Sequence, residues 1–182
     1  RCLSEGVDVP ALDGISFVDP KTSQIDIIQA VGRVMRKSPG KEKGTIVVPV
    51  FVNETEDTDT ALQESSYDTV WAVIRALRSH DDLLAIELDN LRTKLGSRLK
   101  LTTDKIREKI ILDLPTLVLK DFEGAFYVKS IEHSSLQWQA MIGQLKSYKK
   151  KFGNVNVPEK AGEPWSDLGL WVHKTRFRMR QK

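Results

Sequence analysis

The stretch QAVGRVMRKS, residues 29–38, predicts a helix with one buried apolar face and one polar face. At about 100° per residue, Gln29, Arg33 and Arg36 fall along one line of such a helix. Gly32 lies beside that line and removes a side chain, at a helix-propensity cost of about 1 kcal/mol. The opposite face is apolar and predicts contact with a core, and its members are Ile27, Val31, Val34 and Met35.

Two interpretations of this row of polar side chains follow from the residues alone. Most amphipathic helices of this kind lie on a surface, with their arginines simply solvated. Alternatively, the row binds a polyanion, because planar guanidinium groups grip phosphate oxygens in a forked geometry. The helix by itself leaves both interpretations open.

The segments on either side of the helix predict a βαβ unit. GISFVDP, residues 14–20, is a short apolar run closed by a proline, which favours a buried strand. The helix is expected from about Ser23, a suitable N-cap, to Arg36. TIVVPVFV, residues 45–52, predicts a strand buried on both faces, with Pro49 marking an edge or a bulge. Strand, helix and strand form a right-handed unit.

The middle of the chain predicts a linker followed by helices. NETEDTDTALQESS, residues 53–66, is polar and acidic, and we expect a partly mobile linker there. Apolar residues at helical spacing then predict two helices in residues 67–99, the second stopping at Gly96. REKIILDLP, residues 107–115, fits a strand, and VLKDFEGAFYVKSIEHSS, residues 118–135, fits a helix. The expected fold class is therefore α/β followed by mostly α.

The last segment predicts two further helices. Trp138, Met141, Leu145 and Tyr148 recur at helical spacing, and Gly153 is the expected helix stop. The second helix is expected to place Leu168, Trp171, Val172, Thr175 and Met179 on one side.

Composition excludes several classes of protein. No apolar run approaches the roughly 18 residues of a membrane span. Cys2 is the single cysteine, which excludes internal disulfides and favours a reducing, cytoplasmic location. The histidines lack partners at zinc-binding spacing, so no metal site is expected.

Residues 138–182 hold ten Lys/Arg and three Asp/Glu, a balance of +7, whereas residues 1–137 hold 18 and 22, a balance of −4. The basic end is therefore the candidate nucleic-acid surface.

Two short motifs at the start of the chain carry a family resemblance. LSEGVDVP, residues 3–10, contains a Gly-x-Asp-x-Pro turn and resembles motif V of superfamily 2 helicases. The pattern Gln29-x-x-Gly32-Arg33-x-x-Arg36 resembles motif VI of the same proteins. The intervening VDPKTSQIDIIQAVGRVMR is similar to DEAD/DEAH-related and restriction-type translocases. The resemblance implies the C-terminal part of a second RecA-like domain over residues 1–54.

The other end of the chain carries a second resemblance. WQAMIGQLKSYKKKFGNVNVPEKAGEPWSDLGLWVHKTR resembles the helicase-associated domain, a small helical module, expected here over residues 135–182. The family usually has Gln where this chain has Thr175, and the third helix that the family implies is not in this sequence. Residues 55–134 are then the linker and a helical connector.

The resemblance implies a role for the polar row. ATP hydrolysis builds negative charge on the γ-phosphate, and an arginine supplied across a cleft typically contributes about 10³–10⁵ in rate. Arg33 and Arg36 are the implied arginines, and Gln29 would orient the phosphate or the attacking water. Gly6, Asp8 and Gly32 would bind ATP, with Asp8 at the ribose and Gly6 allowing close backbone approach.

The resemblance also implies nucleic-acid contacts and partners. Ser4 lies where the family couples nucleic acid to the nucleotide cleft, although a capped turn explains it equally well. The positive charge of the last segment adds the other candidate contacts, Lys149, Lys150, Lys174, Arg176 and Arg180, although lysines at a helix end commonly only complement the helix dipole. ATP and Mg²⁺ are the cofactors implied for the complete protein, with the Mg²⁺ ligands outside this chain, and DNA or RNA and the N-terminal motor domain are the partners.

The sequence has no GxxxxGK[ST] phosphate loop and no Asp-Glu pair after an apolar strand. We therefore expect a C-terminal fragment of a larger motor, inactive as an ATPase by itself. Two alternatives remain: a nucleic-acid-binding module without a motor role, and a protein-interaction scaffold built on the helical middle.

Overall fold

The structure, a computed structural model, describes residues 12–18, 23–51, 58–63, 65–114 and 120–181. The described chain is mostly helical, with one two-stranded parallel sheet near its start. The elements in chain order are β1 (Gly14–Ser16), α1 (Gln24–Met35), β2 (Thr45–Val47), α2 (Thr58–Ala61), a 3₁₀ turn (Ser65–Tyr67), α3 (Asp68–His80), α4 (Asp82–Gly96), α5 (Asp104–Arg107), α6 (Lys120–Ser134), α7 (Gln137–Phe152) and α8 (Ser166–Arg180). No helix in these ranges is both long and apolar enough to cross a membrane.

The predicted βαβ unit is confirmed. β1 pairs with β2 in parallel, and Ile15 lies opposite Ile46 in the register. Helix α1 connects the two strands and begins where the sequence predicts, because the Ser23 hydroxyl accepts a hydrogen bond from the Asp26 N–H at 3.3 Å. The α/β-then-α fold class is confirmed at this level.

Strand β2 is shorter and more exposed than predicted. It ends at Val47, and Val47 is half exposed, so the expectation of a strand buried on both faces over residues 45–52 is wrong. Helices α1 and α3 supply the buried cluster against which Ile46 packs. Among the described residues, no comparable buried cluster covers the face of the sheet on which Val47 lies.

The middle of the chain forms the largest hydrophobic core. It lies between α2, α3, α4 and α6, with the stacked rings of Tyr67 and Trp71 at 5.8 Å. Residues 53–66 are not purely a linker, because Ala61 and Leu62 are buried in this core. The parts of that segment at 53–57 and 64 lie outside the described residues.

The strand predicted at residues 107–115 is wrong. Residues 104–107 form the single turn α5, and residues 111–114 have no regular structure. Ile110, Leu112 and Leu114 pack against the helical core instead. An apolar β-branched run becomes a strand only where a neighbouring strand accepts its backbone hydrogen bonds.

Helices α7 and α8 form a third, smaller core. Its buried members include Tyr148 from α7 and Leu168 from α8. Helix α7 ends at Gly153, whose φ of 75° is the left-handed conformation that favours glycine, so this predicted helix stop is confirmed. Met179 was expected on the buried side of α8 but is exposed, because the described core reaches only as far as Val172.

Candidate functional site

The apolar face of α1 is fully buried. Ile27, Val31 and Val34 are at most 1% exposed. Ile27 and Val31 pack towards the sheet and α3, and Val34 lies against Gly44, which leaves the opposite side of the helix for the polar side chains. Gln29 is exposed and Arg33 is half-buried. The structure therefore brings Gln29 and Arg33 to one side of a helix whose other side is fixed in a core.

Arg36 lies just past the end of this helix. The helix stops at Met35, and Arg36 is the C-cap with an extended backbone, φ −63° and ψ 129°. The ammonium of Lys41 donates to the carbonyls of Val34 and Arg36, the latter at 3.0 Å, and so satisfies the helix end. The sequence predicted a helical Arg36, whereas its position is set by this capped turn.

Gly32 lies against the ring of His80 at the end of α3. A Cβ built on Gly32 would be 3.1 Å from Nε2 and 3.2 Å from Cε1 of His80. That distance is tighter than ordinary side-chain packing. The glycine therefore allows α1 and α3 to approach closely, while its predicted contact with ATP stays a prediction.

The predicted motif V residues lie outside the described part of the chain. Ser4, Gly6 and Asp8 all belong to residues 1–11. Their predicted place beside Arg33 and Arg36 therefore stays a prediction.

The predicted basic residues of the last segment lie on α7 and α8 and are exposed. Lys149 and Lys150 lie in the last turns of α7, and Lys174 and Arg180 lie on the distal half of α8. Arg176 has a local role as well, because its Nη2 donates to the Val155 carbonyl and the Asn156 side chain, both at 3.3 Å. It thereby fastens α8 to the loop after α7.

Aromatic side chains of the last segment are mainly structural. Trp138 and Trp171 make an edge contact at 4.8 Å, and Trp165 contacts Tyr148 at 5.4 Å. Phe177 differs, because 57% of it is exposed beside Lys174 on the same helix.

In the helical connector, local contacts shift the pKa of two side chains, His133 and Asp81. Burial lowers the pKa of His133, whose ring stacks on Trp71 at 4.9 Å, and the nearby Arg75 lowers that pKa further. Burial raises the pKa of Asp81, but hydrogen bonds from Lys109 and the Leu84 N–H outweigh it and leave the pKa below its ordinary value.

A polar cavity of about 570 Å³ lies between α4, α5 and α7, away from the arginine row. Lys94, Lys105 and Lys146 line it together with Glu87 and Asp104, so its charges largely offset each other. No predicted site residue lines this cavity. Within the described ranges, no three His, Cys, Asp or Glu side chains are grouped closely enough to hold a metal ion.

Sequence reasoning missed two residues next to these features, His80 and Arg78. Both lie in a helical segment, where the spacing of apolar residues predicts which face is buried but not which residues the polar side chains contact. Their partners are distant in the sequence. A histidine and an arginine in the last turn of a helix are usually attributed to the helix dipole. Only the packing of α3 against α1 and α4 gives them specific contacts.

Comparison with known proteins supports the resemblance seen in the motifs. A model of the helicase-associated domain family matches residues 135–182. Over 53 residues the chain is 42% identical to probable helicases from the Kenyan and Malawian isolates of African swine fever virus. This aligned part is 29% of this chain and 6% of each viral protein.

A solved structure is similar over nearly the whole chain. It is the ATP-dependent Type ISP restriction-modification enzyme LlaBIII bound to DNA, with 31% sequence identity and a TM-score of 0.51. The match covers 91% of this chain and 11% of that enzyme, so the chain spans only a small part of the relatives it matches. The chain thus carries a helicase-associated domain and resembles the C-terminal part of a superfamily 2 helicase of the restriction type.

Proposed function

We propose that the chain is the C-terminal part of an ATP-dependent nucleic-acid translocase or helicase. In this proposal the β1–α1–β2 unit belongs to the second RecA-like motor domain. One observation carries it: α1 follows a parallel strand, buries one face completely and leaves Gln29 and Arg33 on the side away from the core, with Arg36 in the capped turn that follows.

The proposed chemistry is the hydrolysis of ATP to ADP and inorganic phosphate. Negative charge develops on the transferred phosphoryl group as water attacks it, and guanidinium groups held nearby stabilise that charge. Arg33 and Arg36 are the proposed guanidinium groups, and Gln29 orients the phosphate or the water. Ser4, Gly6 and Asp8 complete the proposed site from motif V, on sequence grounds.

ATP and Mg²⁺ are the cofactors of the complete protein in this proposal. The described residues offer cations for the phosphates but no acidic cluster for the metal. Their chemistry fits phosphate better than Mg²⁺, so we assign the metal to the first motor domain.

We further propose that the helicase-associated domain binds DNA through phosphate contacts. The exposed Lys149, Lys150, Lys174 and Arg180 and the balance of +7 over residues 138–182 support it. The similar restriction enzyme is described as bound to DNA, which favours DNA over RNA. Arg176 would contribute while holding the loop before α8.

The test is the steady-state ATPase of the complete protein at saturating DNA. Arg33→Ala and Arg36→Ala should each lower kcat by at least about 10², with the KM for ATP nearly unchanged. Lys37→Ala, which removes an adjacent exposed cation, is the matched control and should behave as wild type. Near-normal turnover in both arginine variants would contradict the assignment and leave a DNA-binding module without a motor role.

A further inference from the structure

The last turn of α3 contacts the arginine-bearing helix through His80. The edge of the exposed His80 ring lies 3.1 Å from the position that a Cβ on residue 32 would take, so a side chain there would require the ring to shift. Because Arg33 follows Gly32 directly, the position of this ring helps to set the position of the Arg33 backbone.

Two residues earlier, Arg78 connects the same turn to α4 and to the end of α6, next to the start of the helicase-associated domain. Its Nη2 donates to both carboxylate oxygens of Asp89 on α4, at 2.9 and 3.0 Å. Its Nη1 donates to the Ser134 carbonyl at the end of α6, at 3.0 Å. Gln139 on α7 donates to the same Asp89 at 3.3 Å. One arginine therefore joins three helices where the helicase-associated domain begins.

Helix α7 is also packed directly against α4. A Cβ built on Gly143 would lie 2.1 Å from the Thr93 carbonyl oxygen, and one built on Gly96 would lie 2.2 Å from the Ala140 oxygen. The Ser97 hydroxyl donates to the Gly143 carbonyl at 2.8 Å. With backbones this close, α7 is held to α4 as one rigid pair.

We propose that the last turn of α3, Arg78 to His80, couples DNA binding by the helicase-associated domain to ATP hydrolysis. His80 is a positioning residue for Arg33. Arg78 connects the same turn to α4 and α6 directly, and to α7 through the Asp89–Gln139 hydrogen bond. Packed side chains and hydrogen-bond networks of this kind are the elements through which energetic coupling between distant sites is carried, and the experiment below tests whether this one does so. A misplacement of about 1 Å at a catalytic group costs about 10² in rate, so small shifts of α3 are sufficient. The inference rests on the proposed function.

The experiment compares basal and DNA-stimulated ATPase in the complete protein. Arg78→Gln should leave basal kcat and the Kd for DNA within about twofold of wild type. Its kcat at saturating DNA should fall towards the basal value. Arg98→Gln, which changes an exposed arginine on the turn after α4, is the matched control and should keep full stimulation.

The His80→Ala variant tests the positioning role. It should lower kcat at least about fivefold with and without DNA, while the KM for ATP and the Kd for DNA stay the same. His80→Gln keeps a planar polar group against Gly32 and should recover most of the activity. A purely structural role would instead lower the melting temperature and leave the kcat of the folded protein unchanged.

Full stimulation in Arg78→Gln, or normal kcat in His80→Ala, would overturn the inference. If Arg78→Gln does not fold, Asp89→Asn weakens the same ion pair and should show the same loss of stimulation, and full stimulation there would overturn the inference. A wild-type protein whose ATPase does not respond to DNA would instead contradict the proposed function.

Discussion

Helices α1 and α8 both present cationic side chains, Arg33 on α1 with Arg36 directly after it and a longer row on α8, but the two helices are supported very differently. Helix α1 has one face buried at 0–1% exposure, a side-chain cap at its start and a lysine cap at its end. Helix α8 is buried only around Leu168 and Val172, and nearly all of its second half is exposed. The helix that carries Arg33 is thus fixed by a buried face and by a cap at each end, whereas Arg180 lies on a helix end open to solvent.

The difference corresponds to two different demands on a cation. Stabilising the charge of a transferred phosphoryl group needs a guanidinium at a fixed position. Binding the DNA backbone needs a high density of positive charge and tolerates mobility of each side chain. The support around each row matches the role proposed for it.

The largest expected effect comes from exchanging one cation for another in each row. In the complete protein, Arg33→Lys should lower kcat by at least about 10², because lysine cannot reproduce the planar fork. The converse exchange, Lys149→Arg on the exposed surface, should change the Kd for DNA by less than about twofold. ATPase assays and DNA titrations measure the two effects. If Arg33→Lys were as mild as Lys149→Arg, the two rows would not differ in their need for geometry.

An intermediate effect is expected where the helicase-associated domain packs on α4. Gly143→Ala should lower the free energy of unfolding by about 1–3 kcal/mol, because the new Cβ meets the Thr93 backbone. Gly124→Ala on α6 meets nothing within 4 Å and should stabilise by up to about 1 kcal/mol. Urea unfolding of the chain measures both.

The same two variants test whether the basic surface of the last two helices depends on packing as well as on charge. If the basic surface needs only charge, Gly143→Ala should leave the affinity for DNA at low salt nearly unchanged while the protein is still folded. A loss of DNA affinity equal to the loss of stability would show that this surface also depends on precise packing.

The smallest expected effect is a change in salt dependence. The affinity of the complete protein for DNA should fall between about 50 and 200 mM salt, and Lys149→Glu with Lys150→Glu should reduce the slope by about two. Glu159→Gln with Glu163→Gln alters two exposed acidic residues of the same domain and is the control. An unchanged slope in the lysine variant would place the DNA contacts elsewhere.

Local pattern alone determined much of this protein. The apolar spacing around Val31 and the cap at Ser23 predicted α1 and its buried face, because a helix repeats every 3.6 residues and its caps are local. The same reasoning predicted the parallel βαβ order and the end of α7 at Gly153. It also singled out Gln29, Arg33 and Arg36, since a polar row opposite an apolar face is visible in the sequence.

Tertiary structure decided what the pattern left open. The run at residues 107–115 has the composition of a strand, yet its described apolar residues Ile110, Leu112 and Leu114 pack on helices, because no strand of the described chain pairs with them. β2 lies in a run rich in β-branched and apolar residues, but composition does not tell how many neighbouring elements cover the strand. Both outcomes depend on contacts between residues far apart in the sequence.

The same reason explains the connections between helices. Gly32 meets His80, Gly143 meets Thr93, and Arg78 meets Asp89 and Ser134 only after the chain has folded. A glycine or an arginine in a helical segment fits many neighbours equally well, so sequence periodicity cannot select one. The sequence determined which faces carry charge and which are buried, and the packing of α3 against α1 and α4 decided how those faces are joined, because that choice rests on long-range shape complementarity.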